Sequence, residues 1–199
     1  MIEVTAKSAR MWSRLGQRGS IFGAAIPDLA KSNGNLRVVT ADLGLLSGLE
    51  RLKTACENQY LNVGIAEQDM IGIAAGLAKE GCCVFATTYA TFITMRSFEQ
   101  IRHNLGYLQY NVKIVGSSAG VVMGMSGNTH YTLEDIALMR AIPNMIVLSP
   151  ADSVEAVKMA EALAETDGPA YLRLTGGLNC PMVYKEDYPF EIGQGIVLQ

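Results

Sequence analysis

Glu67 is a carboxylate at the point where a predicted strand gives way to a predicted helix. It follows Tyr60-Leu-Asn-Val-Gly-Ile-Ala66, in which a short apolar strand ends and Gly64 allows the backbone to turn. The helix starts at residue 66 or 67, closes at Gly81 and is apolar nearly all round, which predicts a buried helix. In parallel α/β sheets, strand carboxyl ends and helix amino ends open on one crevice, where ligands bind. A ligand-binding carboxylate is one interpretation. The other is a structural glutamate that gains about 0.3 to 1 kcal/mol from the helix dipole.

Two aromatic residues, Tyr89 and Phe92, lie three apart at the next predicted strand-to-helix junction. Stacked aromatic pairs gain about 0.5 to 1.5 kcal/mol beyond area burial. Taken alone, both are ordinary core residues.

His130 and Asp42 are the remaining polar candidates. His130 ends the glycine-rich segment 117–130, where an imidazole can donate to a substrate oxygen or carry a proton. Asp42 comes directly after a strand predicted at residues 36–40. Each has a plainer interpretation, His130 as a surface residue and Asp42 as a turn former at a strand end.

The elements that position these side chains alternate along the chain. Apolar runs bounded by glycine, proline and asparagine predict strands at residues 36–40, 60–63, 82–87, 111–116, 145–148 and 170–174. Helical patterns occur at residues 7–31, with interruptions near Gly16 and Gly19, and at 66–81, 91–105, 133–141 and 153–165. This alternation predicts an α/β fold with a doubly wound, mainly parallel sheet and helices on both faces. Residues 44–60 are a weakly patterned connection of a length that is usually functional or mobile.

Length and composition predict one domain and a short extension. With 199 residues, of which 49% are hydrophobic, the chain can bury one substantial core, placed at residues 1–176. After Gly176-Gly177 the pattern turns to prolines and acidic residues, so residues 177–199 are predicted to lie outside this domain as an extension. Its end, at residues 191–199, is predicted to form a hairpin or strand.

The net charge and the cysteines indicate which binding partners and which cellular compartment to expect. The net charge of −3 comes with no run of lysines or arginines, so neither nucleic acid nor an anionic membrane surface is expected as a partner. The absence of 18 uninterrupted apolar residues predicts no membrane span, and the first 18 residues lack the apolar core of a signal peptide. Four cysteines without metal-ligand spacing suit a reducing environment, so a cytoplasmic location is expected.

Five motifs together resemble the pyrimidine-binding domain of transketolase-type enzymes, which depend on thiamine diphosphate. The resemblance runs from about residue 10 to residue 174, and residues 177–199 resemble the linker that leads from this domain toward a third, C-terminal domain, which is missing here. It is carried by Asn62-Val-Gly-Ile-Ala-Glu-Gln68, by Tyr89-Ala-Thr-Phe92 with Phe98-Glu-Gln-Ile-Arg102, by Asn111-Val-Lys-Ile-Val115, by Gly127-Asn-Thr-His130, and by Ile136-Ala-Leu-Met-Arg-Ala-Ile-Pro143.

The resemblance implies roles for the candidate residues. The aminopyrimidine ring of the cofactor would stack on Phe92 and Tyr89, while Glu67 would hydrogen-bond a ring nitrogen and so promote loss of the proton from the thiazolium carbon. A carboxyl that keeps or shares a proton needs a dry site, and apolar Ile65 and its neighbours are consistent with one. Met95 stands where relatives often place a further aromatic residue or an arginine, as a soft apolar filler.

The same resemblance assigns the other two candidates to the cleft. His130 stands at the position of a substrate-contacting histidine, and Asp42 resembles an aspartate that lines the cofactor and substrate cleft. Two departures concern the substrate: Ser126 replaces an acidic residue that contacts a substrate hydroxyl, and Gly176 replaces an arginine that holds a terminal phosphate. Arg18 lies loosely where the family has a second phosphate-binding arginine.

The diphosphate-binding motif, Gly-Asp-Gly followed by paired asparagines, does not occur in the chain. The resemblance therefore implies a partner polypeptide that supplies this domain and the Mg²⁺ ligands, in a homodimer or a heterotetramer. The expected function is the pyrimidine-binding part of a split transketolase that transfers a two-carbon ketol unit from a ketose to an aldose. The alternatives are a 1-deoxyxylulose-5-phosphate synthase-like subunit, a 2-oxoacid dehydrogenase β-type subunit, and a non-catalytic assembly partner.

Overall fold

A single sheet of six parallel strands organises the computed structural model, which describes residues 2–197. In chain order the strands are β1 Leu36–Thr40, β2 Tyr60–Asn62, β3 Cys83–Tyr89, β4 Val112–Ser117, β5 Ile146–Leu148 and β6 Ala170–Arg173. Their order across the sheet is β2-β1-β3-β4-β6-β5, and every neighbouring pair is parallel. The predicted fold class and all six predicted strands are confirmed.

Helices and helical turns connect the strands. The α-helices are α1 Ala6–Ser20, α2 Ile26–Ser32, α3 Gly44–Ser47, α4 Glu50–Ala55, α5 Glu67–Lys79, α6 Phe98–Ile101, α7 Asp135–Arg140 and α8 Ser153–Glu165. π-Helical turns cover Ile21–Ala25, Phe92–Arg96 and Arg102–Tyr107, and 3₁₀ turns cover Glu57–Gln59 and Gly124–Ser126. The predicted interruption of the first helix is confirmed at Gly16, whose φ is 72°. A Cβ there would lie 2.2 Å from the Gly177 carbonyl oxygen, so only glycine allows this close approach.

The sheet is covered on both faces, as the alternation of side chains along its strands requires. On one face, Val38 and Phe85 pack with α4, α8 and the turn at Ile21–Ala25. On the other face, Val39 and Ala86 pack with α5, α7 and the helical segment that follows β3. Within residues 2–197 no helix has the length and apolarity needed to cross a membrane. The cytoplasmic location stays a prediction.

Three sequence-based expectations are corrected. Residues 44–60 are mainly helical, because Leu49 and Leu52 bury their side chains and fix α3 and α4 against the core. Helix α5 is not buried all round, since Gly72 and Gly76 lie on an exposed face together with residues 68–69. No strand forms at residues 191–197, and residues 198–199 lie outside the described part of the chain.

The segment after residue 176 packs on α8. Asp152 accepts hydrogen bonds from the backbone N–H groups of Val183 and Tyr184, both at 2.9 Å. The rings of Tyr184 and Tyr188 stack with centroids 4.2 Å apart, and Lys158 lies 4.9 Å from the centroid of the Tyr188 ring. The assignment of residues 1–176 and 177–199 as a domain and a linker stays a prediction.

Candidate functional site

The candidate residues gather at the edge formed by the carboxyl ends of the strands, here called the carboxyl edge. Strand β1 has β2 on one side and β3 on the other, so the winding of the chain changes direction between β1 and β3. Ligands bind at such switch points in open α/β sheets. Asp42 follows β1, Glu67 lies beyond the end of β2, and Tyr89 is the last residue of β3.

Glu67 is the first residue of α5 and its side chain is 4% exposed. Its Oε1 accepts a hydrogen bond of 2.8 Å from Nη1 of Arg96, whose side chain is 48% exposed. Arg96 is fixed at its backbone, because Gln68 Nε2 donates to the Arg96 carbonyl oxygen at 2.9 Å. The buried carboxylate is therefore held by a cation that reaches in from the surface.

The surroundings of Glu67 are more polar than expected. A cavity of about 380 Å³ lies beside it, lined by Ile65, Ala66, Glu67, Gln68, Asp69 and Arg96. Ile65 is 78% exposed and so gives Glu67 little apolar cover, whereas Met70 is fully buried beneath the site. A dry site around this carboxylate stays a prediction: Glu67 is 4% exposed, and its ion-pair partner is the half-exposed Arg96.

Three rings converge beside this cavity. Phe92 and His130 have centroids 5.3 Å apart, Tyr89 and Phe92 are 6.0 Å apart, and Tyr89 and His130 are 5.8 Å apart, all in edge-to-face geometry. The Arg96 guanidinium carbon lies over the Phe92 ring, 4.3 Å from its centroid. Phe92 thus links the aromatic cluster to the Glu67–Arg96 pair.

His130 is positioned by the loop that carries it. Its Nδ1 lies 3.0 Å from the Thr129 hydroxyl oxygen. The loop is closed at its base by an antiparallel bridge between Gly120 and Thr132, and Tyr131 donates to the Gly124 carbonyl oxygen at 2.9 Å. The structure therefore brings His130 together with Tyr89 and Phe92, although they are about 40 residues apart in sequence.

Asp42 and Met95 make fewer contacts. Asp42 is exposed, and its backbone N–H donates to Asn62 Oδ1 at 3.0 Å, which ties the end of β1 to the end of β2. Met95 lies in the π-helical turn after Phe92, with its sulfur 3.8 Å from the Thr91 hydroxyl. Roles for both in holding a ligand stay predictions.

Two arginines near the site were not identified with certainty from the sequence. Arg96 was missed, and Arg18 was placed only loosely. Arg96 follows Phe92 by four residues, and this spacing could have suggested a contact along a helix. Met95 and Arg96 both lie in the π-helical turn Phe92–Arg96, and in the structure Arg96, not Met95, contacts the Phe92 ring and Glu67. Burial lowers the pKa of the Arg18 guanidinium, an effect that nearby Tyr89 partly offsets.

The position of Gly176 is closed to a longer side chain. The backbone N–H groups of Thr175 and Gly176 donate to Gln17 Oε1 at 2.9 and 2.7 Å. A Cβ at residue 176 would lie 2.8 Å from both the Gln17 side chain and the Cys180 sulfur. Arg173 does not substitute for an arginine here, since its Nε donates to the buried Asp135 at 2.8 Å.

The part of the chain that the structure describes has no cluster of metal-binding side chains. No three histidine, cysteine, aspartate or glutamate side chains within residues 2–197 come close enough to hold a metal ion.

Comparison with known proteins gives one consistent family. Residues 18–180 match the family described as "Transketolase, pyrimidine binding domain". A putative transketolase C-terminal section from Methanocaldococcus jannaschii is 39% identical over 89% of this chain and 56% of its own length. One of the subunits of an apulose-4-phosphate transketolase from Phocaeicola vulgatus is 37% identical over 89% of this chain and 57% of its own length.

Two further matches are a relative with a different named activity and a solved structure. A 1-deoxy-D-xylulose-5-phosphate synthase from Prochlorococcus marinus is 34% identical over 90% of this chain but only 28% of its own length. A solved structure described as "Split gene transketolase, inactive beta4 tetramer" is 38% identical, with a TM-score of 0.80, and the match covers 92% of this chain and 58% of that chain. The chain thus spans little more than half the length of the split transketolases and about a quarter of the synthase.

Proposed function

The chain belongs to the family of transketolase pyrimidine-binding domains, and we propose on that premise that it is the pyrimidine-binding part of a thiamine diphosphate-dependent transketolase. The reaction would be transfer of a two-carbon ketol unit from a ketose to an aldose acceptor. One observation carries the proposal: a buried glutamate at the amino end of α5 lies beside an aromatic cluster at the switch point of the sheet.

The residues at the carboxyl edge fit a flat, nitrogen-bearing ring. Glu67 lines a cavity of about 380 Å³, and its Oε2 accepts no hydrogen bond from any residue between 2 and 197, so one carboxylate oxygen is available to a ring nitrogen. Phe92 offers an aromatic face at the same place, and Tyr89 supports Phe92 from the side. When bound, thiamine diphosphate supplies a carbon nucleophile that attacks the carbonyl group of the donor.

The chain's own residues would then have distinct tasks. Glu67 would hold a ring nitrogen and share a proton with it at Oε2. Phe92 and Tyr89, with Met95 in the same turn, would fix the plane of the ring. His130 touches both aromatic rings, so it lies close enough to donate a hydrogen bond to a substrate oxygen.

A diphosphate-binding partner chain is the second part of the proposal, and Mg²⁺ would be held on that partner. Large apolar side chains are exposed in the segments that follow β1, β2 and β4, all at the carboxyl edge: Leu45, Leu46, Ile65, Val121, Val122 and Met125. Apolar surface of this kind is typical of a protein interface. The partner would cover it and close the cofactor site between the two chains.

The chain has glycine, not arginine, at residue 176, and so lacks a side chain there that could hold a substrate phosphate group. A side chain there would collide with Gln17 and Cys180, so an arginine cannot reach the cleft from this position. Arg18, whose charge interacts with nearby Tyr89, is the cation that remains for an anionic substrate, since Arg96 is paired with Glu67. An acceptor without a terminal phosphate, or one held by Arg18 alone, is therefore our expectation.

A synthase of the 1-deoxyxylulose-5-phosphate type is the second candidate, because relatives with that name are 34 to 36% identical to this chain. The two activities differ in the donor, which is a ketose for the transketolase and pyruvate for the synthase. Release of CO₂ from pyruvate by the assembled enzyme would support the synthase and contradict the transketolase.

Calorimetry tests the cofactor proposal. Thiamine diphosphate with Mg²⁺ is titrated into this chain alone and into its mixture with the diphosphate-binding chain. Heat is expected from the mixture only, and Glu67→Gln should abolish or strongly reduce it. Glu99→Gln is the matched control, because Glu99 is a largely exposed glutamate on α6 and should leave the heat unchanged. Equal binding by the Glu67 variant, or no binding by any mixture, would contradict the proposal.

A further inference from the structure

The Arg96 guanidinium already makes both contacts that a flat ring at this site requires. Its Nη1 donates to Glu67 Oε1 at 2.8 Å, and its central carbon lies 4.3 Å from the centroid of the Phe92 ring. A guanidinium is planar and rich in N–H groups, so it can stack on an aromatic ring and donate to a carboxylate at once. An aminopyrimidine ring has the same shape and would use the same two partners.

The guanidinium and the ring compete for one position. Because Arg96 reaches Glu67 while it lies over Phe92, it covers the Phe92 face that looks toward Glu67. The rings of Tyr89 and His130 meet Phe92 in edge-to-face geometry, at 6.0 and 5.3 Å. A ring that stacks on Phe92 within hydrogen-bond distance of Glu67 must therefore displace the arginine.

The surroundings of Arg96 allow it to move. Its backbone is held by Gln68, but its side chain is 48% exposed and ends at the wall of the cavity. Asp69 lines the same cavity and is exposed, so it can receive the guanidinium after Glu67 is released. Motion of one exposed side chain therefore suffices to open the position.

We propose that Arg96 is an internal competitor for the pyrimidine position, which leaves Glu67 for Asp69 when thiamine diphosphate binds. The inference rests on the proposed function and extends it to control of cofactor loading. Removing the guanidinium should strengthen binding, because the ring no longer has to break an ion pair and a cation–π contact. For partly exposed contacts of these two kinds, the expected gain in affinity is about tenfold.

The test measures thiamine diphosphate affinity, in the presence of Mg²⁺, for this chain assembled with the diphosphate-binding chain. Arg96→Met keeps the length of the side chain without charge or donors and should lower the Kd about tenfold. Arg96→Lys keeps the charge but not the flat group, so its Kd should fall between those of Arg96→Met and the wild type. Arg102→Met is the matched control, since Arg102 is exposed, pairs with Glu99 and should leave the Kd unchanged.

The outcomes separate this inference from the proposed function. Binding by the wild type and by Arg102→Met, with an unchanged or weaker affinity for Arg96→Met, would show that Arg96 supports the cofactor and would overturn the inference alone. Failure of the wild type to bind would overturn both. Tighter binding by Arg96→Met, with wild-type behaviour of Arg102→Met, is the expected result.

Discussion

Lys113 gives a quantitative prediction for folding stability, because it is a fully buried lysine in a central strand. It lies on β4 and its Nζ donates to the backbone carbonyl oxygens of Thr166, at 2.6 Å, and Gly168. These carbonyls follow the end of α8, so the lysine satisfies acceptors that the helix leaves open. Burial lowers the pKa of Lys113 from 10.5 to about 8, an effect that nearby Cys83 and Asp167 partly offset.

The sign of the pH dependence follows from this lowered pKa. Between pH 8 and 10.5 the unfolded chain keeps the Lys113 proton and the folded chain loses it, so the free energy of unfolding rises with pH. One pKa unit corresponds to about 1.4 kcal/mol, and the incomplete titration at both limits leaves a gain of about 2 kcal/mol between pH 8 and pH 10. Below about pH 7 Lys113 contributes no slope.

Urea unfolding of the wild type and Lys113→Met at pH 7, 8, 9 and 10 measures the effect. The methionine leaves two carbonyls without a donor, which lowers stability by a constant amount at every pH. Titrating groups that do not interact with Lys113 act in both proteins and cancel when the two unfolding free energies are subtracted, and Cys83→Ala in both proteins removes the thiol that does interact with it. The wild type should therefore gain about 2 kcal/mol over the variant between pH 8 and pH 10. A difference that stays constant, or that shrinks as the pH rises, would refute the argument that Lys113 has a lowered pKa in the folded state.

Two further predictions concern buried carboxylates that hold the framework. Asp135 accepts hydrogen bonds from Tyr171 and Arg173, at 2.7 and 2.8 Å, and Asp135→Asn weakens both. The variant should lose about 3 kcal/mol of unfolding free energy, measured in urea. A loss below about 1 kcal/mol would contradict this account. Asp152→Ala removes the amino-terminal cap of α8 and the anchor of residues 183–184, so it should cost about 2 kcal/mol. It should also speed cleavage within residues 181–190 in limited proteolysis, and a cleavage rate equal to that of the wild type would show that Asp152 does not anchor this segment.

The strands and the position of Glu67 were predictable because their signals are local. A run such as Val112–Ser117 is rich in β-branched residues and ends in glycine and serine, and Glu67 comes three residues after Gly64, which allows the backbone to turn. The exposed face of α5 was not predictable, since Gly72 and Gly76 have no side chain that could signal burial or exposure. Contacts at the site depend on tertiary structure, and Glu67 pairs with Arg96 although the two residues are 29 apart in sequence, a separation that no local pattern reveals.

Two buried ionisable side chains, Lys113 and Glu67, lie at opposite ends of the sheet and differ in the hydrogen-bond partners that the fold gives them. Lys113 is the second residue of β4, near the amino ends of the strands, and both of its hydrogen bonds go to backbone carbonyls within the fold. Glu67 lies at the carboxyl edge, where one of its oxygens accepts from a half-exposed arginine and the other accepts no hydrogen bond from residues 2–197. Both side chains are buried, but the fold gives them different numbers of hydrogen-bond partners. This difference supports the proposal that Glu67, and not Lys113, binds a ligand.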